Sequence, residues 1–257
     1  MNYTFDVEKE FKNIESQWKE WSEKTGLKKF VIGISGGIDS TCVAALGCKI
    51  FGTENIIGIS LPCNGQKDMP DVDKVFDHLK IKRITIDIGE AFNHIVNSIS
   101  NVGIDPSFDT KTNLPARLRM STLYAVSQSI PYSVPLNTCN ISETVNGYDT
   151  IWGDSCGGFA PIKEYTKTEV RALASYLGVP EDLVQKIPVD GLQDSNDEER
   201  FGCTYQEIDD FIRNNGANDK VKEMCMKRYS SNKFKMIACN VSGVRCNLPN
   251  YITGRNV

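Results

Sequence analysis

Apolar positions follow two rhythms along this chain. Short apolar runs at about 30–34, 56–61 and 81–88 are rich in β-branched residues. Each is followed by a stretch with apolar residues at helical spacing, at about 38–51, 70–80 and 90–100. Gly and Pro punctuate the joins. This alternation predicts an α/β fold, a doubly wound parallel sheet with helices on both faces. A further amphipathic segment, LPARLRMSTLYAVSQ, leads into a fourth strand candidate at about 132–138. Ahead of Gly26, Phe11, Ile14, Trp18 and Trp21 share one stripe, which predicts an N-terminal amphipathic helix.

Two later helices are marked by capping boxes, Thr166 with Glu169 and Thr204 with Glu207. Between them VDGLQDSNDEERFG reads as a long polar loop. No repeat, low-complexity stretch or linker interrupts the 257 residues, so a single domain over 1–257 is expected. Lys plus Arg number 29 against 33 Asp plus Glu, a net charge of −4, which leaves no global field toward nucleic acid or an anionic membrane. The nine cysteines include no C-x-x-C pair and the chain has only two histidines, which argues against zinc and for a reducing, cytoplasmic setting. The N-terminus is charged rather than apolar, and no apolar run approaches the length of a membrane span.

The chemistry concentrates where the first strand meets the first helix. Gly33, Ile34, Ser35, Gly36, Gly37, Ile38, Asp39 and Ser40 read GISGGIDS. At the carboxyl end of a parallel strand such a turn faces the ligand crevice. Its glycines let backbone N–H groups approach an anion, the helix start adds partial positive charge, and the serines add hydroxyl donors. Asp39 would repel polyphosphate unless a cation lay between them, which implies Mg²⁺. The lysine of a G-x-x-x-x-G-K-[ST] loop is absent, as is G-x-G-x-x-G.

SGGIDS resembles the S-G-G-x-D-S loop of the ATP pyrophosphatases, which adenylate a carboxylate or carbonyl oxygen and expel pyrophosphate. The rest of the chain narrows the resemblance. NLPARLRM at 113–120 is similar to the N-x-x-A-R-x-R-M segment of the ammonia-dependent NAD synthetases, and NTCNISE at 137–143 to their [GN]-T-x-N-x-S-E. Gly147-Tyr148 with Trp152-Gly153-Asp154, then TKTEV at 166–170, PVDGL at 188–192, DEE at 197–199, Phe201-Gly202 and Asn232-Lys233 follow in that family's order, from about residue 10 to 236.

The resemblance implies an adenine nucleotide alpha hydrolase-like fold and the ATP-dependent amidation of deamido-NAD to NAD, with AMP and pyrophosphate released. It implies Asp39 and Glu143 as Mg²⁺ ligands, with Gly33 to Ser40, Thr138, Lys167 and Val189 around ATP. Lys167 would reach the phosphates and Gln66 would lie near the adenine. Arg117, Asn232 and Lys233 would hold deamido-NAD, with Arg117 pointing inward and Arg119 differing. Asp154 would stand near the reacting centre, as a proton acceptor for ammonium or as a turn residue. The family is dimeric, so a homodimer is expected.

Three positions depart from the pattern: Gly158 where many members carry an acid, Val189 for a hydroxyl residue, and Asn232 for His. Two alternatives stay open: another ATP pyrophosphatase, an adenylating amidase or tRNA-modifying enzyme, and a nucleotide-binding homologue with weakened turnover, which the three departures alone support. No reactive cysteine pair or basic RNA platform supports the first. The 32 residues before the loop contain no cysteine to serve a glutamine amidase, so free ammonia is the expected nitrogen source.

Overall fold

In the computed structural model the described residues are 4–65, 68–186, 198–199 and 202–252. Four strands form one parallel sheet in the order β3-β2-β1-β4: β1 Lys29–Gly33, β2 Ile56–Ser60, β3 Lys82–Thr85 and β4 Ser133–Pro135. In register, Val31 of β1 stands beside Ile57 on one side and Pro135 on the other. The chain steps outward from β1 through β2 to β3, then returns to place β4 on the other side of β1. Its topological switch point therefore lies between β1 and β4, where open α/β sheets take their ligands.

The α/β expectation holds, with refinements at the boundaries. Helix α1 spans Val7–Thr25 and buries Phe11, Ile14 and Trp18, the last meeting Phe30 of β1 edge to face with ring centroids 5.0 Å apart. Helices α2 (Ile38–Phe51), α3 (Met69–Leu79) and α4 (Gly89–Asn101) fall close to the positions that the apolar spacing predicts. β3 is four residues rather than eight, and β4 three rather than seven. β3 has exposed or half-buried positions throughout, and beyond it Ile86 N and Ile88 N still donate to Ser60 O at 3.0 Å and Pro62 O at 2.9 Å, so the apolar run follows β2 past the strand's end. Helix α5 runs Phe108–Gln128, beginning six residues before the expected segment. Ser107 caps it by accepting from Thr110 N at 3.1 Å, and Pro115 sits inside the helix rather than at its start.

Side chains of β1 alternate between two cores. Phe30 and Ile32 face the cluster built with α1, α2 and α3, whereas Val31 joins Ile57, Ile59, Met120 and Leu123 under α5. The remaining described helices are α6 (Ile141–Asn146), α7 (Lys167–Tyr176), α8 (Glu181–Val184), α9 (Tyr205–Ile212) and α10 (Asp219–Ala238). Both expected capping boxes form, at α7 and α9. Helices α6, α9 and α10 share a separate apolar cluster that includes Val145, Tyr205, Ile208 and Val221. That cluster presses the start of α6 and α7 against the switch point. Most of the polar loop at 189–202, including Val189, lies outside the described residues, as does Gln66.

Candidate active site

A cavity of about 710 Å³ opens at the carboxyl ends of β1 and β4. Gly33, Ile34, Ser35, Gly37, Ile38, Asp39 and Ser40 line it, together with Thr138, Glu143, Asp154 and Lys167. Gly36 turns the loop instead. Its φ is +78°, and a Cβ there would lie 3.1 Å from Asp71 Cβ and Val72 N of α3, so only glycine fits. Within the loop Ser35 Oγ accepts from Gly37 N at 3.2 Å, and Ser40 Oγ accepts from Ser35 N at 3.3 Å. α2 starts at Ile38, so its first N–H groups have no acceptor within the helix and face the cavity mouth.

Three charged side chains meet at the base. Lys167 Nζ donates to Asp39 Oδ2 at 2.5 Å and to Glu143 Oε1 at 2.8 Å. The lysine side chain is 1% exposed and lies 5.0 Å from the Tyr205 ring centroid, while Asp39 and Glu143 keep 17% and 16%. Asn140 links the acids. Its Nδ2 donates to Asp39 Oδ1 at 2.8 Å, and it caps α6 in a reciprocal box with Glu143, donating N–H to Oε2 at 3.3 Å and accepting Glu143 N at 3.0 Å. The N-x-x-E spacing at 140–143 is itself a capping signal, set inside the longer NTCNISE stretch.

Two carboxylates share one ammonium, so the cluster carries one negative charge in excess only when both acids are ionised. Burial, then the neighbouring Asp39, raises the Glu143 pKa despite the pull of Lys167. Burial alone would lower Lys167, but Asp39 and Glu143 outweigh it and keep the ammonium charged. The shelf beneath is rigid. Lys167 N donates to Ser142 Oγ at 3.0 Å, Ser142 Oγ donates to Asp209 Oδ1 at 2.5 Å, and Thr168 N donates to Asp209 Oδ2 at 2.8 Å. Asp154 lines the cavity and accepts Thr150 N at 2.6 Å, so it both shapes the 150–154 turn and presents a carboxylate. Desolvation raises its pKa, with that hydrogen bond pulling the other way.

The remaining expected residues stand apart. Arg117 is exposed and donates Nε to Ile151 O at 3.1 Å, whereas Arg119 lines the cavity and donates to Leu61 O at 3.1 Å. The inward arginine of α5 is thus the second of the pair. Lys233 is exposed, and Asn232 donates to Arg228 O at 2.9 Å. Lys235, two residues on, reaches the cavity wall and donates to Gly147 O and Asp149 O at 2.7 Å each. At Gly158, an added Cβ would lie 2.0 Å from Val134 Cγ2, which explains why no acid stands there.

A family profile described as NAD synthase matches residues 10–245. The chain belongs to the NAD synthase family. It is 38% identical over 209 residues to the NH(3)-dependent NAD(+) synthetase of Thermococcus kodakarensis, covering 80% of each chain. With the NH(3)-dependent NAD(+) synthetase of Finegoldia magna it shares 34% over 223 residues, 86% of this chain and 90% of the relative. Among solved structures it is similar to an NMN synthetase from Francisella tularensis, with TM-score 0.83 and 31% identity over 90% of this chain and 96% of that one. It is also similar to the NAD+ synthetase of Burkholderia pseudomallei, with TM-score 0.75 and 27% identity over 91% of each.

Proposed function

We propose that the chain is an ammonia-dependent ligase that amidates the nicotinate carboxylate of deamido-NAD at the expense of ATP, giving NAD, AMP and pyrophosphate. The observation that carries this reading is the opening of the GISGGIDS loop and the Asp39–Glu143–Lys167 cluster onto one cavity at the switch point. The nicotinate oxygen attacks the α-phosphorus of ATP and the bond to the β-phosphate oxygen breaks. Backbone N–H groups at the start of α2, with Ser35 and Ser40, stabilise the departing pyrophosphate. Ammonia then attacks the acyl carbon, AMP leaves, and the nitrogen gives up a proton, with the Asp154 carboxylate placed to accept it. Orientation and charge stabilisation supply the rate, and no side-chain nucleophile is required.

The paired carboxylates of Asp39 and Glu143 at the cavity suit a hard cation such as Mg²⁺. Among the described residues no group of three or more His, Cys, Asp or Glu could hold a metal. Asp39 and Glu143 would hold it with only two protein ligands, and this ion commonly takes one or two carboxylates plus substrate phosphates. All four of their carboxylate oxygens are engaged by Lys167 or Asn140, and the ammonium supplies the positive charge between the two acids. Bound there, Mg²⁺ would neutralise charge developing on pyrophosphate. We further propose that the chain acts as one catalytic unit in the cytoplasm and as a homodimer. Phe234 and Ile237 of α10 and Trp152 stand largely in solvent, as a partner surface would require. Among the described residues no helix is long and apolar enough to cross a membrane.

A second substrate reading is favoured by the placement of Arg117, Asn232 and Lys233 away from the cavity. Nicotinate mononucleotide, lacking the adenylate half, needs none of them, and the Francisella neighbour is an NMN synthetase. The test is incubation with ATP, Mg²⁺, ammonium and either nucleotide, with mass detection of NAD, NMN and AMP. Production of NAD supports the first reading, and production of NMN alone replaces it with the second. ATP consumption without either amide would overturn both. Glutamine in place of ammonium, with an ammonia scavenger, should yield neither amide.

A further inference from the structure

Beside the main cavity lies a second one, of about 230 Å³, which shares Cys139, Asp149 and Lys235 with it. Cys239, the cap residue of α10, lines this space, and its Sγ is 3.5 Å from the Sγ of Cys156. Both thiols are half-buried, unlike Cys42, Cys139 and Cys225, which are enclosed. We propose that Cys156 and Cys239 are an oxidation site, and that their disulfide ties the end of α10 to the wall of the reaction cavity and slows turnover.

The two sulfurs sit on segments of different anchorage. Cys156 is fixed, because Asn137 Nδ2 donates to Asp154 O at 2.8 Å and to Cys156 O at 3.0 Å, and Cys139 Sγ donates to Asp154 O at 3.2 Å. That network also holds the backbone beside Thr138 and Asp154, two residues of the cavity wall. Cys239 ends a twenty-residue helix, one turn beyond Lys235, whose bonds to Gly147 O and Asp149 O join α10 to the same wall. A disulfide needs about 2 Å between sulfurs, so the helix end must move inward and is then held there. Lys235 becomes locked at the rim, and exchange of nucleotides slows.

The small cavity suits a peroxide as oxidant. The Cys239 thiolate attacks one peroxide oxygen, the O–O bond breaks, and hydroxide leaves to become water, giving a sulfenic acid. The Cys156 sulfur then attacks Cys239, the S–O bond breaks, and the second water departs with the Cys156 proton. Two thiols are oxidised to one disulfide and one peroxide is reduced to two waters. Cys239, and not Cys156, lines the small cavity, so Cys239 meets the oxidant first, while burial and the adjacent Cys239 thiol push Cys156 up to about 11.

The test treats the purified protein with hydrogen peroxide, maps cross-linked peptides by mass, and follows turnover with ammonium, ATP and both nucleotides before and after dithiothreitol. The expected result is a Cys156–Cys239 peptide, a fall in kcat of about fivefold or more, and recovery on reduction. Cys239→Ser and Cys156→Ser should each keep their kcat under peroxide. Absence of the cross-link, a cross-link with unchanged kcat, or equal loss in both variants would overturn the proposal. Turnover of the untreated protein reports separately on the ligase reading, because the cross-link is read by mass.

Discussion

Helix α7 carries two buried ion pairs two residues apart, and they contrast sharply. Glu169 meets Arg213, with side-chain exposures of 3% and 1%. Arg213 Nε and Nη2 each donate to Glu169 at 2.7 Å, and the guanidinium also donates to Glu164 O and Pro249 O at 2.7 Å. Charge and hydrogen bonds are balanced there, away from the cavity. Lys167 faces two acids whose side chains line the cavity, and the cluster gains an excess negative charge when both acids are ionised. A balanced, closed pair holds elements together. An unbalanced, open one leaves charge available for a ligand.

The largest effect that tests this contrast is on turnover. Asp39→Asn removes one of the two acids but leaves Lys167 paired with Glu143, so no buried ion is stranded. Pyrophosphate release should fall about a thousandfold, equivalent to ~4 kcal/mol of transition-state stabilisation, while the melting temperature holds or rises. Activity within tenfold of the parent would refute the functional assignment of the open cluster. Glu143→Gln should behave alike.

The closed pair should respond in the opposite sense. Arg213→Met strands Glu169 in a buried site, and breaking such a pair costs about 3–5 kcal/mol. Urea denaturation should show that loss, with kcat per folded molecule changed less than threefold. Pairing it with Glu169→Leu should restore much of the stability, since the uncompensated carboxylate is then gone. A double variant no more stable than Arg213→Met would count against a simple charge-balance account.

Asp209 lies between the two pairs and separates them by pH. Burial pushes it up to about 6 from a usual value of 3.8, against the hydrogen bonds from Ser142 and Thr168. A raised carboxyl binds its proton more tightly in the folded state. Its contribution to stability is thus full below about pH 3.8 and is lost as pH rises through about 6, a span of roughly 3 kcal/mol. Asp209→Asn should flatten that part of the stability profile between pH 4 and 6.5, measured by denaturant titration. An unchanged slope in the variant would place the titration elsewhere.

How far the sequence foretells these arrangements depends on whether local spacing or helix rotation decides them. α2 lies at 38–51 as its apolar pattern predicts, because the glycine turn before it and Gly52 after it are local signals. The capping boxes at Thr166 and Thr204 are equally local. The choice between Arg117 and Arg119 is not. Two positions apart on a helix, they point in widely different directions, and only the docking of Met120 and Leu123 under the sheet decides which one faces inward. Lys233 and Lys235 pose the same problem on α10, whose buried residues lie mostly in its first half. The ion cluster joins α2, α6 and α7, a long-range meeting that no local pattern specifies.

The smallest effect concerns Gly158, a position that the family resemblance assigns to substrate and the geometry assigns to packing. Gly158 N donates to Pro135 O at 2.8 Å, which draws this backbone against the end of β4. The space that a side chain needs is filled by Val134, a buried residue of the short strand. A methyl group there must displace a β-branched side chain with little rotamer freedom, and overpacking of this kind costs about 1–3 kcal/mol. Gly158→Ala should therefore lower stability by about 2 kcal/mol in urea, with the apparent KM for either nucleotide changed less than threefold. Val134→Ala made alongside it should recover part of the loss, because it removes the methyl that the new Cβ meets. A KM shift of tenfold or more with stability unchanged would move Gly158 from the packed side of the comparison to the open one.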